Sequence, residues 1–208
     1  EVKLRSIDGP DGNVRGHNVF VIQSLYGDAN ESVNDKFMKM MIFCGSLRQA
    51  GCHNLTAVIP HLAYARQDQK DRSRAPVTTK ILACMMESVG IDRFLFLDVH
   101  NLAAANNAFQ IRTGVDNLSC RCLFADWCEK HGLGQAEKLV VVSPDEGGLK
   151  RSRKFADTLA KRFGRNIPVG IMDKNRIAGD EVEGERLYID VDQAEVLMID
   201  DMISTAGT

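Results

Sequence analysis

The segment Val77–Val99, VTTKILACMMESVGIDRFLFLDV, decides the fold. Val77 to Val89 reads as a helix, and Phe94–Val99 is a short, continuous apolar run. Hydrophobicity that is continuous rather than alternating marks a strand covered on both faces. The same pairing recurs along the chain. Further apolar runs stand at Val19–Gln23, Leu55–Ile59, Leu139–Val142, Val169–Met172 and Val196–Ile199, at intervals that leave room for a helix. A helix is expected to run to Gln49 from an N-cap at Asn34, with Phe37, Met38, Met41 and Ile42 as its core-packing face and Gly51 as its stop. Another is expected from Lys150 to Phe163. Alternating β and α predicts an α/β fold with largely parallel sheets. Two successive β/α blocks are expected, residues 1–119 and 120–208, with the join near Asn117 to Cys122.

The bulk composition narrows the function classes. The 208 residues are 44% hydrophobic and 26% charged, with a formal net charge of −2. A near-neutral balance argues against a nucleic-acid binder, and no apolar run approaches the ~20 residues needed to span a bilayer. Glu1 to Arg5 lack the apolar character of a signal peptide. The cysteines (Cys44, Cys52, Cys84, Cys120, Cys122 and Cys128) are scattered, and Cys120-Arg121-Cys122 lacks the two-residue gap of a zinc knuckle. Reduced thiols and a cytoplasmic location are the expectation.

Two loops break the rhythm. One is the charged stretch Arg66-Gln67-Asp68-Gln69-Lys70-Asp71-Arg72-Ser73-Arg74, closed by Pro76; the other is the polar stretch from Asp173 to Glu185. Loops after the carboxyl ends of parallel strands are where α/β proteins bind ligands. The last element, Val196–Thr208, reads VLMIDDMISTAGT: an apolar strand, two adjacent carboxylates and a small-residue turn. Backbone N–H groups and hydroxyls of such a turn can wrap a phosphate. Asp200 and Asp201 are then placed to accept sugar hydroxyls or to hold a phosphate-bound cation.

This last element resembles the phosphoribosyl pyrophosphate loop of phosphoribosyltransferases and pyrophosphokinases. VRGHNVFVIQS (Val14–Ser24), VNDKFMKMM (Val33–Met41), AVIPHLAYARQDQKDRSRAP (Ala57–Pro76), LDVH (Leu97–His100), VDNL (Val115–Leu118) and VVSPDEGGLKRSRKFA (Val141–Ala156) follow in the order found in ribose-phosphate pyrophosphokinases. The resemblance covers essentially the whole chain, which is truncated at both ends relative to the family. It implies two phosphoribosyltransferase-like domains, the second incomplete. It also implies transfer of the β,γ-diphosphate of ATP to the anomeric hydroxyl of ribose 5-phosphate, with Mg²⁺ as cofactor and homo-oligomers, dimers assembling to a hexamer, as the form. Glu1, Arg66, Gln67, Lys70, Asp71 and His100 would bind ATP, and His100 and Asp145 would meet the metal. Lys174 and Arg176, opening a mobile loop, would act on the reacting phosphates. Arg176, Asp200, Asp201, Ser204, Thr205, Ala206, Gly207 and Thr208 would hold ribose 5-phosphate. A non-catalytic regulatory homologue and a phosphoribosyltransferase are the alternatives; Arg66 with the Lys174–Arg176 pair disfavours the first, and YARQD the second.

The pattern departs from the family at two places. Asn101 to Asp116 carries three extra residues, with Gln110 replacing a carboxylate. Ser204 stands where many pyrophosphokinases have Asp, which keeps the phosphate-binding geometry while removing a charge.

Overall fold

The computed structural model describes residues 13–70, 72–176 and 182–203, with 173–176 and 182–185 described by backbone alone. The chain divides into two compact units, which meet in sequence between Ser119 and Cys120.

In the first unit, strands β1 (Asn18–Ile22), β2 (Asn54–Ile59), β3 (Arg93–Leu97) and β4 (Gly114–Leu118) lie side by side in that order. All three pairings are parallel, so each connection must cross back over the sheet. Helices α1 (Val33–Gln49), α2 (Thr78–Ser88) and α3 (Leu102–Ala108) make those crossings. The core joins Leu25, Cys44 and Leu47 to Leu55, Ala57 and Ile59 of β2 and to Phe94 and Phe96 of β3. The lengthened segment after His100 forms α3 and then drives Phe109 into this core, its ring centroid 4.5 Å from that of Phe94.

Helix α1 corrects the expected cap. Its N-cap is Ser32, not Asn34: the Ser32 hydroxyl accepts from Asp35 N–H at 3.2 Å, and the Asp35 carboxylate accepts from Ser32 N–H at 3.0 Å. This reciprocal box satisfies two amide donors that a lone Asn could not. The buried face is Phe37, Met40, Met41, Cys44 and Leu47, while Met38 and Ile42 lie exposed. The expected stripe was therefore turned about its axis, because Met40, Cys44 and Leu47 complete the face that meets the sheet.

The second unit comprises α4 (Arg121–Lys130), a 3-10 turn (Leu133–Gln135), β5 (Leu139–Ser143), α5 (Leu149–Phe163), β6 (Val169–Arg176), β7 (Val182–Leu187) and β8 (Glu195–Met198). The sheet order is β7-β6-β5-β8. Central β5 is buried along its whole length and pairs in parallel with β6 and β8. Helix α5 buries Ser152, Phe155, Ala156 and Leu159.

The polar stretch from Asp173 to Glu185 is not simply a loop. Residues 173–176 continue β6, and 182–185 belong to β7, paired antiparallel with β6. The register sets Asp173 opposite Arg186 and Lys174 opposite Glu185. Such a ribbon is made by backbone bonding between antiparallel strands, which an apolar-run reading does not detect.

Among the described residues, no helix is long and apolar enough to cross a membrane. Cys44, Cys52 and Cys128 are buried. Burial, then the neighbouring Cys52, pushes the Cys44 thiol up to about 11, so it stays protonated and inert at neutral pH.

Candidate active site

In each unit the candidate residues follow the carboxyl ends of parallel strands. In a parallel sheet those ends share one edge, where ligands bind in open α/β folds.

In the first unit the loop leaving β2 is anchored by buried Leu62, Ala63 and Ala65. Arg66, Gln67 and Lys70 are exposed beyond that anchor. Tyr64 takes a left-handed conformation, φ 58°, and its hydroxyl donates to Asn34 Oδ1 of α1 at 2.7 Å. Gln67 N–H donates back to the Tyr64 carbonyl at 3.0 Å, closing a turn around Arg66.

The adjacent strand β3 ends at Leu97, and the chain turns at Asp98, again left-handed at φ 39°. Strand β4 fastens this turn. Asp98 N–H donates to the Leu118 carbonyl at 2.9 Å, and Val99 N–H donates to Asn117 Oδ1 at 2.9 Å. Exposed His100 follows, and Asn101 caps α3 by accepting from Ala104 N–H at 3.1 Å. Non-glycine residues held at positive φ cost of order 1–3 kcal/mol and cluster where a loop must present a side chain. Arg66, Gln67, Lys70 and His100 thus share one edge of one sheet.

In the second unit, β5 runs into the turn Ser143–Gly148. The buried Ser143 hydroxyl donates to the Asp145 carbonyl at 2.7 Å, and Gly148 N–H donates to Asp145 Oδ1 at 2.7 Å. Asp145 itself is exposed. Strand β8 delivers Asp200 and Asp201 to the same edge. Asp201 N–H donates to Asp200 Oδ1 at 2.8 Å. Arg151 of α5 reaches both carboxylates, its Nη1 3.2 Å from Asp200 Oδ1 and 3.3 Å from Asp201 Oδ1. Burial, then the contact with the Asp201 side chain, raises the Asp200 pKa above the ordinary carboxylate value, with the Asp201 N–H and Arg151 pulling the other way.

No role fell to Arg151 in the sequence, although it stands in SPDEGGLKR. Lys150, Arg151, Arg153 and Lys154 form one cationic run, and only the fold selects which of them turns toward β8.

Lys174 and Arg176 lie on β6, whose parallel pairing with β5 covers Val169 to Ile171. At ~3.3 Å per residue, the strand carries them about 10 and 16 Å beyond that pairing, past the edge that holds Asp145. Glu1, Asp71, Ser204, Thr205, Ala206, Gly207 and Thr208 lie outside the described residues. Among the described residues, no three or more His, Cys, Asp or Glu form a group able to hold a metal ion.

Comparisons with known proteins converge on one family. A family model described as the N-terminal domain of ribose phosphate pyrophosphokinase matches residues 5–90. Ribose-phosphate pyrophosphokinase 1 of Streptococcus pyogenes is 40% identical over 198 residues, covering 94% of this chain and 58% of the relative. Ribose-phosphate pyrophosphokinase A of Dictyostelium discoideum is 38% identical over 196 residues, covering 94% of this chain and 57% of the relative. The crystal structure of phosphoribosylpyrophosphate synthetase from Mycobacterium smegmatis superposes with a TM-score of 0.78 at 30% identity, covering 95% of this chain and 59% of that one. The chain therefore spans a little under three-fifths of the length of the relatives it matches.

Proposed function

We propose that this chain belongs, over the span it covers, with the ribose-phosphate pyrophosphokinases, and that its protein transfers the β,γ-diphosphate of ATP to the anomeric hydroxyl of ribose 5-phosphate. The products are 5-phosphoribosyl 1-pyrophosphate and AMP. The observation that carries this reading is 40% identity along 94% of the chain to a relative of that name. The two edges support it: one presents exposed cations and a histidine, the other a turn-held carboxylate and an Asp-Asp pair.

The reaction requires positioning and charge neutralisation more than covalent chemistry. The anomeric oxygen attacks the β-phosphorus, the bond from the β-phosphorus to the α,β-bridging oxygen breaks, and the hydroxyl proton leaves to solvent or a nearby base. In this reading Arg66 forks onto ATP phosphates, Gln67 bonds polar edges of the nucleotide, and Lys70 assists. Asp200 and Asp201 accept ribose hydroxyls, and residues 204–208 bind the 5-phosphate. Lys174 and Arg176 approach the transferring phosphates and stabilise the charge that develops on them.

The donor set fits Mg²⁺ delivered on the nucleotide. That ion keeps several waters and needs only one or two protein donors beside phosphate oxygens. Each unit carries one candidate donor: exposed His100 in the first, and in the second exposed Asp145, whose Oδ1 is steadied by Gly148 N–H. Mg²⁺ on the nucleotide would neutralise charge on the phosphate oxygens.

The domain reading extends to two phosphoribosyltransferase-like halves, 1–119 and 120–208, and the homo-oligomer is proposed with it. The experiment is AMP release from ATP by the full-length protein, measured with and without ribose 5-phosphate. Release that ignores ribose 5-phosphate, or none at all, would reject the reading; light scattering tests the oligomer separately.

A further inference from the structure

We propose that Thr79 is a positioning residue for the nucleotide, its hydroxyl holding the Tyr64–Gln67 turn in the shape that presents Arg66 and Gln67. This rests on the reading of Arg66 and Gln67 as ATP contacts. Thr79 is the second residue of α2 and is only 5% exposed. Its Oγ1 lies 3.2 Å from the Tyr64 carbonyl oxygen and 3.2 Å from that of Gln67. A hydroxyl has one proton to give, so it alternates between the two carbonyls or is shared by them, drawing both ends of the turn to one point.

The backbone adds a second strap. Helix α2 has Val77 as its N-cap, with no side-chain oxygen to receive the first amides. Thr79 N–H instead donates to the Gln67 carbonyl at 3.2 Å. One of the amide donors left over at every helix start is therefore satisfied by the loop itself, and the loop is fixed to a rigid element.

Two facts show what the straps hold. Tyr64 sits at φ 58°, a conformation a non-glycine residue keeps only where its surroundings over-determine it. Ala65 is buried beneath the turn while Arg66 and Gln67 face outward. Without the hydroxyl, the turn keeps its anchor at Ala65, its own Gln67-to-Tyr64 bond and the Thr79 N–H strap, but loses the one contact that draws both carbonyls to a single point, so Tyr64 can relax and swing Arg66 away.

The test uses the full-length protein and steady-state AMP release with each substrate varied. Thr79→Ala and Thr79→Val should each raise KM for ATP about five- to tenfold, the scale of one lost hydrogen bond, and leave KM for ribose 5-phosphate within about twofold. Thr79→Ser should restore the wild-type value. In an Arg66→Ala background, Thr79→Ala should add less than about twofold, because it acts through Arg66. An unchanged KM for ATP in both Thr79→Ala and Thr79→Val overturns the proposal, as does a rise in both KM values that Thr79→Ser does not rescue. A full multiplicative effect on top of Arg66→Ala overturns it too. If Arg66→Ala itself leaves KM for ATP unchanged, the nucleotide reading of the loop falls and the role of Thr79 falls with it. If Arg66→Ala weakens ATP and Thr79→Ala does not, only the inference about Thr79 is lost.

Discussion

Replacing Gly148 with alanine tests the turn that carries Asp145. The backbone there has φ −78° and ψ −14°, so alanine meets no conformational penalty. Its stiffer unfolded chain favours it by about 0.4–1 kcal/mol. Space decides the sign. A Cβ at this position would stand 2.8 Å from Ser143 Oγ and 3.3 Å from Asp145 Oδ1. Ser143 is fully buried, and its hydroxyl already donates to the Asp145 carbonyl at 2.7 Å. Turning that hydroxyl aside gives up the bond, about 1 kcal/mol, and shifting the backbone instead carries the 1–3 kcal/mol range of an overfilled core. At the middle of each range, with the entropic gain of about 0.7 kcal/mol subtracted, the net loss is about 0.3–1.3 kcal/mol. At roughly 2–4 °C per kcal/mol for a chain of this size, Tm should fall by about 1–5 °C. Thermal unfolding of Gly148→Ala in two backgrounds checks the cause. In Ser143→Ala the obstructing oxygen is gone, and the same alanine should be neutral or stabilising. An equal loss in both backgrounds, or none in the wild type, would refute the steric argument.

Lys174→Ala should lower kcat by about two to three decades, on the order of 3–4 kcal/mol of transition-state stabilisation, and leave KM for ATP within a few-fold; unchanged turnover in a well-folded variant removes Lys174 from the mechanism. Arg151→Ala leaves Asp200 and Asp201 without the guanidinium that reaches both, and should raise KM for ribose 5-phosphate about tenfold and that for ATP far less. An equal rise in both constants would show Arg151 to be merely structural. The Asp28 carboxyl is drawn down to about 2, first by its hydrogen bond from Lys36 and then by the amides of Asn30 and Glu31. Because its pKa is lowered from the ordinary 3.8, the stability it contributes is present above that value and lost as pH falls toward 2. Asp28→Asn should therefore flatten the fall in Tm between about pH 4 and pH 2, and a slope equal to that of the wild type would refute the linkage.

Much of the fold was legible because buried parallel strands announce themselves as continuous apolar runs. Each of the six runs falls on a strand, but cover on both faces holds for β5 and not for the edge strands, where Phe20 and Ile22 of β1 and Val196 and Met198 of β8 lie exposed. The strands that stayed hidden lack that signature. β4 reads GVDNL at a sheet edge, and β7 reads VEGERL in an antiparallel ribbon. Helix α4 hid for a related reason: it buries Ala125 and Cys128 while Leu123, Phe124 and Trp127 lie exposed, so its largest apolar residues do not mark its inner face.

The candidate site divides along the same physical line. Arg66, His100, Asp145 and the Asp200–Asp201 pair stand just after strands, and a strand end is a local property that a short window of sequence contains. The residues that orient them are not local. The Thr79 hydroxyl reaches carbonyls 12 and 15 positions away, and Arg151 reaches carboxylates 49 and 50 positions away. Nothing in the spacing of Thr78-Thr79 or Lys150-Arg151 separates the residue that faces the loop or the sheet from its neighbour. That choice is made by the rotation of α2 and α5 about their axes, which the packing of Leu82 and Met86 in one helix and of Phe155 and Leu159 in the other decides. A substitution in either buried face that turns its helix should therefore disturb a strand-end residue it never touches, while one that only trims volume should lower stability and leave the site's geometry intact.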